Sequence, residues 1–310
     1  MKIFITGIAG FIGYHTAKRY LADGHEVAGI DNINSSYDPD LKTNRMLDLY
    51  KLGLPKKNFK LGDILINDMN SMIQDTDLIF HFAADDAGPH VSLFEPERCI
   101  KNNITATMNL IMAAEREKIP IVYGSSYIEE GYQSSPYGWS KYAVECQFAH
   151  SKLKSSGVRL FNTYGPYQRP DSVLNKFTDG IKNGTPIDLH DNGLTVRNFT
   201  YVDDTIEGIV LVANNLLKSE WRSNHEIFEI STSEKTEIRE LIHALEDKLN
   251  KKTQVVDAPT PIGILRWALA DNEKINSLGW QAKTILTDGL DKYLLWDNEY
   301  NSVHLEETVV

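Results

Sequence analysis

The feature that most constrains this chain is a rhythm. Short β-branched and aromatic runs at 2–6, 27–30, 59–61, 78–82, 119–123 and 158–161 alternate with helix-length segments. Strands separated by helical crossovers pair in parallel and need cover on both faces, so the pattern predicts an α/β fold built on a Rossmann-type doubly wound parallel sheet. After residue 161 turns crowd in at Tyr164-Gly165-Pro166, Arg169-Pro170-Asp171, Gly184-Thr185-Pro186 and Asp191-Asn192-Gly193. They predict a smaller interwoven α+β lobe. A helix near 205–217 and a strand at 227–230 return to the sheet, and amphipathic helices at 236–249 and 287–299 close the lobe. The expected division is 1–161 plus about 198–231 for the sheet domain, and 162–197 plus 232–310 for the second lobe.

Composition excludes several classes of function. The 310 residues are 42% hydrophobic, enough for a sizeable core. The net charge of −11 repels a phosphate backbone, and no Lys/Arg cluster offsets it, so nucleic acid is not an expected partner. Cys99 and Cys146 stand alone in helical segments without CxxC spacing, as free thiols in a reducing, cytoplasmic setting do. The N-terminal apolar stretch carries one preceding lysine and no small-residue cleavage site, so it reads as structure. No run approaches the roughly eighteen apolar residues of a membrane span. Asp85, Asp86, His81 and His90 lack the spacing of a metal site, and Ser125 and Ser126 lack a G-x-S-x-G elbow.

Gly7, Gly10 and Gly13 follow the first strand and open a helix. Each has its own reason: a tight turn, close approach of backbone to a pyrophosphate, and close packing of helix on strand. The second strand ends in Asp31, which can accept hydrogen bonds from adenosine ribose hydroxyls and repels a 2′-phosphate. NAD is therefore expected in preference to NADP. Asp63, after the third strand, is a candidate for the adenine edge, and Ala83 and Ala84, after the fourth, are small where backbone must approach a ligand.

Tyr137 and Lys141 stand four apart at the start of a predicted helix, so both project from one face. A lysine ammonium beside a phenol favours the phenolate, which lets tyrosine act as a base near neutral pH. Ser125 and Ser126 end the fifth strand, on the side of the sheet where ligands bind, and a hydroxyl there can relay a proton.

The combination resembles the extended short-chain dehydrogenase/reductase family, in its NAD-dependent nucleotide-sugar epimerase/dehydratase branch. TGIAGFIG is similar to that family's TGxxGxxG, and HFAA at 81–84, NNITATMNL at 102–110, SPYGWSK at 135–141, RLFNTYGP at 159–166 and VRNFTYVDD at 196–204 resemble its further blocks. The stretch 30–46 and the stretch 167–193 are most similar to UDP-glucuronate 4-epimerases. The resemblance implies Tyr137 as base, Lys141 as its electrostatic support and Ser126 as the hydroxyl partner. It implies cofactor contacts from Phe11, Ile12, Asn32, Asn34, Ile64, Phe82 and Asn103 besides the residues above. It further implies substrate contacts from Asn162, Arg169, Val173, Ile187, Asp188 and His190, and a diphosphate clamp from Arg197 and Arg266. The implied reaction is 4-epimerisation of a UDP-hexose or UDP-hexuronate through a 4-keto sugar, with NAD regenerated.

Three departures keep other chemistry open. Only ten residues separate Ser126 from Tyr137, and Tyr127-Ile128-Glu129-Glu130 replaces the customary VYG. Residues 81–92 carry one residue more than the relatives, and His90 stands where uronate epimerases have arginine. Glu129 lies three positions beyond the serine, against two in the decarboxylases, so a UDP-glucuronate decarboxylase is the second reading. A 4,6-dehydratase, which needs an Asp-Glu pair after the hydroxyl residue, is third, and a non-catalytic cofactor-binding scaffold is an alternative of another class. The resemblance also implies a homodimer through helices near 95–117 and 137–156, with Ile104, Met108, Ile111, Met112, Ala143 and Phe148 belonging either to that face or to the core.

Overall fold

The computed structural model describes residues 1–85, 88–127, 135–219, 225–261 and 266–307. Within them, the first six strands are β1 (Lys2–Thr6), β2 (Glu26–Asp31), β3 (Phe59–Leu61), β4 (Leu78–His81), β5 (Ile121–Ser126) and β6 (Ser155–Leu160). Four short strands follow: β7 (Asn162–Tyr164), β8 (Ile187–His190), β9 (Val196–Arg197) and β10 (Phe199–Tyr201). The chain then returns as β11 (His225–Ile230). The central sheet is seven-stranded and parallel, in the order β11-β6-β5-β4-β1-β2-β3. The direction of winding reverses between β1 and β4, and the crevice at the carboxyl ends of those two strands is where such sheets bind ligands.

Both faces are covered, as a parallel sheet requires. The helices are α1 (Phe11–Ala22), α2 (Pro39–Lys51), α3 (Met69–Met72), α4 (Gly88–Ser92), α5 (Pro96–Cys99), α6 (Ala106–Glu117), α7 (Pro136–His150), α8 (Val173–Asn183), α9 (Val202–Lys218), α10 (Ile238–Leu249), α11 (Glu273–Ser277) and α12 (Leu286–Glu307). Side chains alternate along each strand. Ile3 and Ile5 therefore join Tyr14 and Ala17 of α1 and Ile209 and Val212 of α9 in one core. Phe4, with Ile79 and Ile121, packs on Leu110 and Ala114 of α6 and Val144 and Phe148 of α7 in the other. Each large apolar side chain so buried contributes about 1.5–3 kcal/mol relative to exposure. A last group of strands, β12 (Thr236–Glu237), β13 (Val255–Ala258) and β14 (Trp267–Ala268), builds two small sheets, in which β13 pairs with β8 and β12 and β14 flank β9. No helix of the described residues is long and apolar enough to cross a membrane.

Four strands start elsewhere than the hydrophobic runs indicate: β2 at Glu26, β11 at His225, and β5 and β6 for reasons the neighbouring residues show. β5 begins at Ile121 because Lys118 caps α6 in the left-handed region (φ 55°) and Ile119 N–H donates back to Ala114 O at 3.1 Å, so the chain is still turning. β6 begins at Ser155, within polar sequence, and its ladder hides what the residue types do not announce. Ser155 Oγ bonds His225 Nδ1 at 3.0 Å, and Gly157 leaves room for the Tyr123 ring, whose hydroxyl a Cβ there would meet at 2.6 Å. Consequently α7 ends at His150, short of the 137–156 helix expected. Ile111 and Phe148, open between core and interface, are core, whereas Met108 and Met112 are exposed.

Candidate active site

The glycine turn is built by sterics. Gly7 sits at φ 72°, and a Cβ on it would lie 2.7 Å from Ala83 N, so β1 passes against the end of β4 with no room for a side chain. A Cβ on Gly13 would lie 2.1 Å from Gly7 O, which brings the first turn of α1 directly onto the strand. Gly10 caps that helix with extended backbone and donates to Gly7 O at 2.9 Å. Phe11 and Ile12 line the crevice from the first turn of α1, where N–H groups have no intrahelical acceptor, a setting that favours an anion.

Asp31 ends β2 with both carboxylate oxygens engaged: Ala9 N–H donates to it at 3.0 Å and Ile33 N–H at 2.8 Å. Burial pushes its pKa up, while those two N–H groups and Lys42 oppose the rise. Lys42 donates to Asn34 O at 2.7 Å and Asn34 Oδ1 at 2.6 Å and so shapes the loop after Asp31; burial pushes its own pKa down to about 8. On the far side of β1, Ala83 N–H donates to Thr6 Oγ at 3.2 Å. Thr107 Oγ donates to Asn103 O, so it accepts from His81 Nε2 at 2.8 Å, and His81 Nδ1 in turn accepts from Thr6 Oγ at 2.7 Å. Burial, with the Lys141 charge, pushes the pKa of His81 down to about 3, so the ring is neutral, as that relay requires. His81 thus serves a wall of the crevice.

The catalytic candidates arrive from β5 and α7. Ser135 caps α7 by accepting from Gly138 N–H at 3.2 Å, Pro136 occupies its first turn, and Tyr137 N–H donates to Ser92 Oγ at 3.1 Å. Lys141, buried, donates to Gly124 O at 3.3 Å, and its ammonium lies 5.8 Å from the centre of the Tyr137 ring. Both serines line the crevice, but their hydroxyls differ: Ser125 Oγ donates to Glu145 at 2.7 Å, inside an ion-pair cluster with Arg159 and Glu229, whereas Ser126 is the last residue of the strand.

A cleft of about 680 Å³ gathers most of the residues singled out from the sequence. Gly7, Gly10, Phe11, Ile12, Gly13, Asp31, Asn32, Asn34, Asp63, Ile64, Phe82, Ala83, Ala84, Ser126, Tyr137, Lys141, Asn162, Arg169 and Val173 all line it. Asn103 stands behind the wall: it is buried, accepts from Asp85 N–H at 2.7 Å and donates to Ser140 Oγ at 2.8 Å, bracing α7. Ile187, Asp188 and His190 on β8, Arg197 on β9 and Arg266 next to β14 stand on or beside the small sheets and are not among the described residues that line the cleft. Arg197 and Arg266 are neighbours, since Arg197 donates to Arg266 O at 3.4 Å and Arg266 pairs with Asp191 at 3.2 Å. Glu129, the decarboxylase candidate, and Asp86 lie outside the described residues.

Sequence reasoning passed over Tyr37, Lys42, Gln168 and Asp171, which also line the cleft. Lys42 had a signal, being four residues after the N-cap Asp38 and on the face that returns to Asp31. Arg169 is paired with Asp171 through two hydrogen bonds, at 2.8 and 2.6 Å, so its guanidinium is already oriented.

Residues 3–224 match the model of the NAD dependent epimerase/dehydratase family. The chain is 30% identical to protein CapI of Staphylococcus aureus over 97% of this chain and 99% of that one. It is 28% identical to a probable UDP-glucuronate 4-epimerase of Rhizobium meliloti, over 98% and 99%. It is similar in structure to the UDP-glucuronic acid 4-epimerase of Bacillus cereus, crystallised in complex with UDP-glucuronic acid and NAD, with a TM-score of 0.87 at 28% identity and coverage of 97% and 100%. A family match over most of the length, on a doubly wound sheet with this glycine turn, leads to one conclusion: the chain belongs to the NAD dependent epimerase/dehydratase family.

Proposed function

We propose that the protein is an NAD-dependent UDP-sugar 4-epimerase that interconverts UDP-glucuronate and UDP-galacturonate. The observation that carries the reading is the convergence of Ser126, Tyr137 and Lys141 at one end of a cleft whose other end is the glycine turn and Asp31. The residues present fit NAD: the cradle at Gly7, Gly10 and Gly13 excludes even a methyl group at two of its positions, and Asp31 offers a carboxylate to ribose hydroxyls. Phe11, Ile12, Asn32, Asn34, Asp63, Ile64, Phe82, Ala83 and Ala84 complete that half of the cleft. Bound NAD supplies the acceptor, and afterwards the donor, of the C4 hydride.

Tyr137 takes the proton of the C4 hydroxyl as C4 is oxidised and returns it to the opposite configuration after the 4-keto sugar has turned over. Lys141 favours the phenolate that Tyr137 needs. Ser126 hydrogen-bonds the same hydroxyl and orients it. Asn162, Arg169 and Val173 hold the sugar and phosphate side, and Arg169 brings a guanidinium fork suited to anionic oxygens. Ile187, Asp188, His190, Arg197 and Arg266 serve the uridine and diphosphate from the second lobe. The division into 1–161 plus about 198–231 for NAD and 162–197 plus 232–310 for the nucleotide sugar belongs to the same reading. So does a homodimer through α6 and α7, supported by Met108, Met112, Trp139 and Tyr142, which expose apolar surface on those two helices. A cytoplasmic location is supported by the two free thiols.

The test is product analysis by NMR after separate incubation with UDP-glucuronate, UDP-glucose and UDP-N-acetylglucosamine, without added reductant. UDP-galacturonate from the first supports the proposal. UDP-xylose with CO₂ replaces it by the decarboxylase, and turnover of only a neutral sugar corrects the substrate. Three unchanged substrates with NAD bound favour a scaffold.

A further inference from the structure

We infer that Arg45 is a positioning residue that ties the substrate-side loop at residues 165–169 to the glycine turn, so that one buried guanidinium sets the geometry of both halves of the cleft. The inference rests on the functional reading above and goes beyond it, because Arg45 itself does not line the cleft. It stands on α2 and is fully buried. Its Nη1 donates to Ala9 O at 2.7 Å and to the Tyr37 hydroxyl at 2.6 Å. Its Nε and Nη2 both donate to Tyr167 O, at 3.1 and 2.6 Å.

Each acceptor belongs to a different part of the site. Ala9 lies in the glycine turn, and its own N–H is held by Asp31, so its two peptide groups are anchored at the ribose acceptor and at Arg45. Tyr37 belongs to the loop that follows Asp31 and lines the cleft. Tyr167 begins the stretch that carries Gln168, Arg169 and Asp171 to the opposite wall.

Tyr167 also needs holding. Its φ is +63°, a region that an aromatic residue adopts only where its surroundings impose it. Two N–H groups of one guanidinium on its carbonyl oxygen are such an imposition, and a second tie supports it: His15 Nε2 bonds Pro166 O at 2.9 Å from α1. The Tyr167 ring lies 4.9 Å from Tyr14 of α1 and 5.3 Å from Trp296 of α12, so the loop is seated between the two lobes. All the hydrogen bonds of Arg45 among the described residues go to neutral oxygens. A buried charge used this way costs stability that an apolar residue would not, and what it provides is a planar fork reaching three chain segments at once. A lysine there has the charge without the fork.

The test compares Arg45→Lys with wild type by three measurements: NADH binding by fluorescence, UDP binding by calorimetry on NAD-saturated protein, and KM and kcat for UDP-glucuronate. NADH Kd, UDP Kd and KM are expected to rise about tenfold while kcat on NAD-saturated protein stays within about threefold, because Ser126, Tyr137 and Lys141 are held by other elements, and an unchanged NADH Kd overturns the claim for the glycine-turn half. His15→Ala removes the second tie and moves UDP Kd the same way; it decides the matter if Arg45→Lys does not fold. Folded variants that melt earlier with UDP Kd and KM unchanged overturn the inference, leaving Arg45 a packing residue. Wild-type protein that binds neither NADH nor UDP overturns the functional reading and this inference with it.

Discussion

Gly13→Ala puts the physics of the turn to a quantitative test. The added methyl would sit 2.1 Å from Gly7 O and 2.8 Å from Gly7 C, far inside van der Waals contact, and both atoms are backbone. The Gly7 carbonyl cannot simply swing away, because it accepts the Gly10 N–H at 2.9 Å. Overpacking of this kind costs about 1–3 kcal/mol. Losing the Gly7–Gly10 hydrogen bond adds about 1 kcal/mol, and the helix preference of alanine over glycine returns about the same. The net is a loss of about 1–3 kcal/mol, or roughly 2–5 °C in the melting temperature of a chain this size. Gly10→Ala is the control: at φ −72° its methyl meets Gly7 O at 3.0 Å and Gly7 C at an ordinary 3.9 Å, so it costs less stability, while its place at the mouth of the turn crowds a bound diphosphate. Thermal melting and NADH titration of both variants are expected to separate the two roles, with Gly13→Ala the less stable and Gly10→Ala the weaker binder relative to its stability. A Gly13→Ala protein that melts with wild type, or a Gly10→Ala protein that melts below the Gly13→Ala protein, would refute the steric account.

Tyr137→Phe is expected to lower kcat by about 10²–10⁴ with NAD and UDP binding retained, measured by single-turnover kinetics; undiminished turnover would remove Tyr137 from the mechanism. Glu145→Gln strips the charge that meets Arg159 at 2.9 Å and leaves only Glu229, so urea unfolding should show a loss near 3 kcal/mol, and a loss under about 1 would mean the cluster is effectively solvated. Burial pushes both His15 and His81 down to about 3, so each is neutral in the folded protein and protonates on unfolding below its ordinary 6.5. The stability each contributes is complete above pH 6.5 and is lost as pH falls toward 3, at about 1.4 kcal/mol per pH unit per histidine. His15→Gln should flatten the slope of urea stability between pH 6 and 4, and parallel slopes would contradict this. Trp139→Glu combined with Met112→Glu, at positions half exposed on α7 and α6, should convert a dimer to monomer in sedimentation without altering the melting of the monomer; a wild type that sediments as monomer would reject the interface.

The sheet was legible because each strand carries its own apolar run and each crossover its own length, both local properties. Residues 155–157 were not: Ser155, Ser156 and Gly157 become strand through partners on β5 and β11, and the missing side chain at Gly157 makes sense only against Tyr123. In the cleft, the turn glycines, Asp31 and the Tyr137/Lys141 pair could be found because strand–turn–helix spacing and helical periodicity put them together within a few residues. Lys42, despite its place four residues after Asp38, and Arg45 escaped notice, since a basic residue on a helix is ordinarily a solvated one, and burial of α2 against the turn shows otherwise. Asn103 illustrates the reverse: its block resembles that of cofactor-binding relatives, yet in the structure its amide faces Asp85 and Ser140.

What the amino-acid order determined by itself was therefore everything set by short-range geometry: the alternation of strand and helix, the residue that can occupy each tight turn, and the pair of side chains one helical turn apart. What only the tertiary structure decided were the partners. The carbonyl that Arg45 holds lies 122 residues away at Tyr167, the hydroxyl beside His81 lies 75 residues away at Thr6, and Ser125 turns to Glu145 while its neighbour ends the strand at the cleft. Hydrogen bonds and burial depend on distance in space, and over such separations the chain acquires those distances only when the sheet closes the two cores around it.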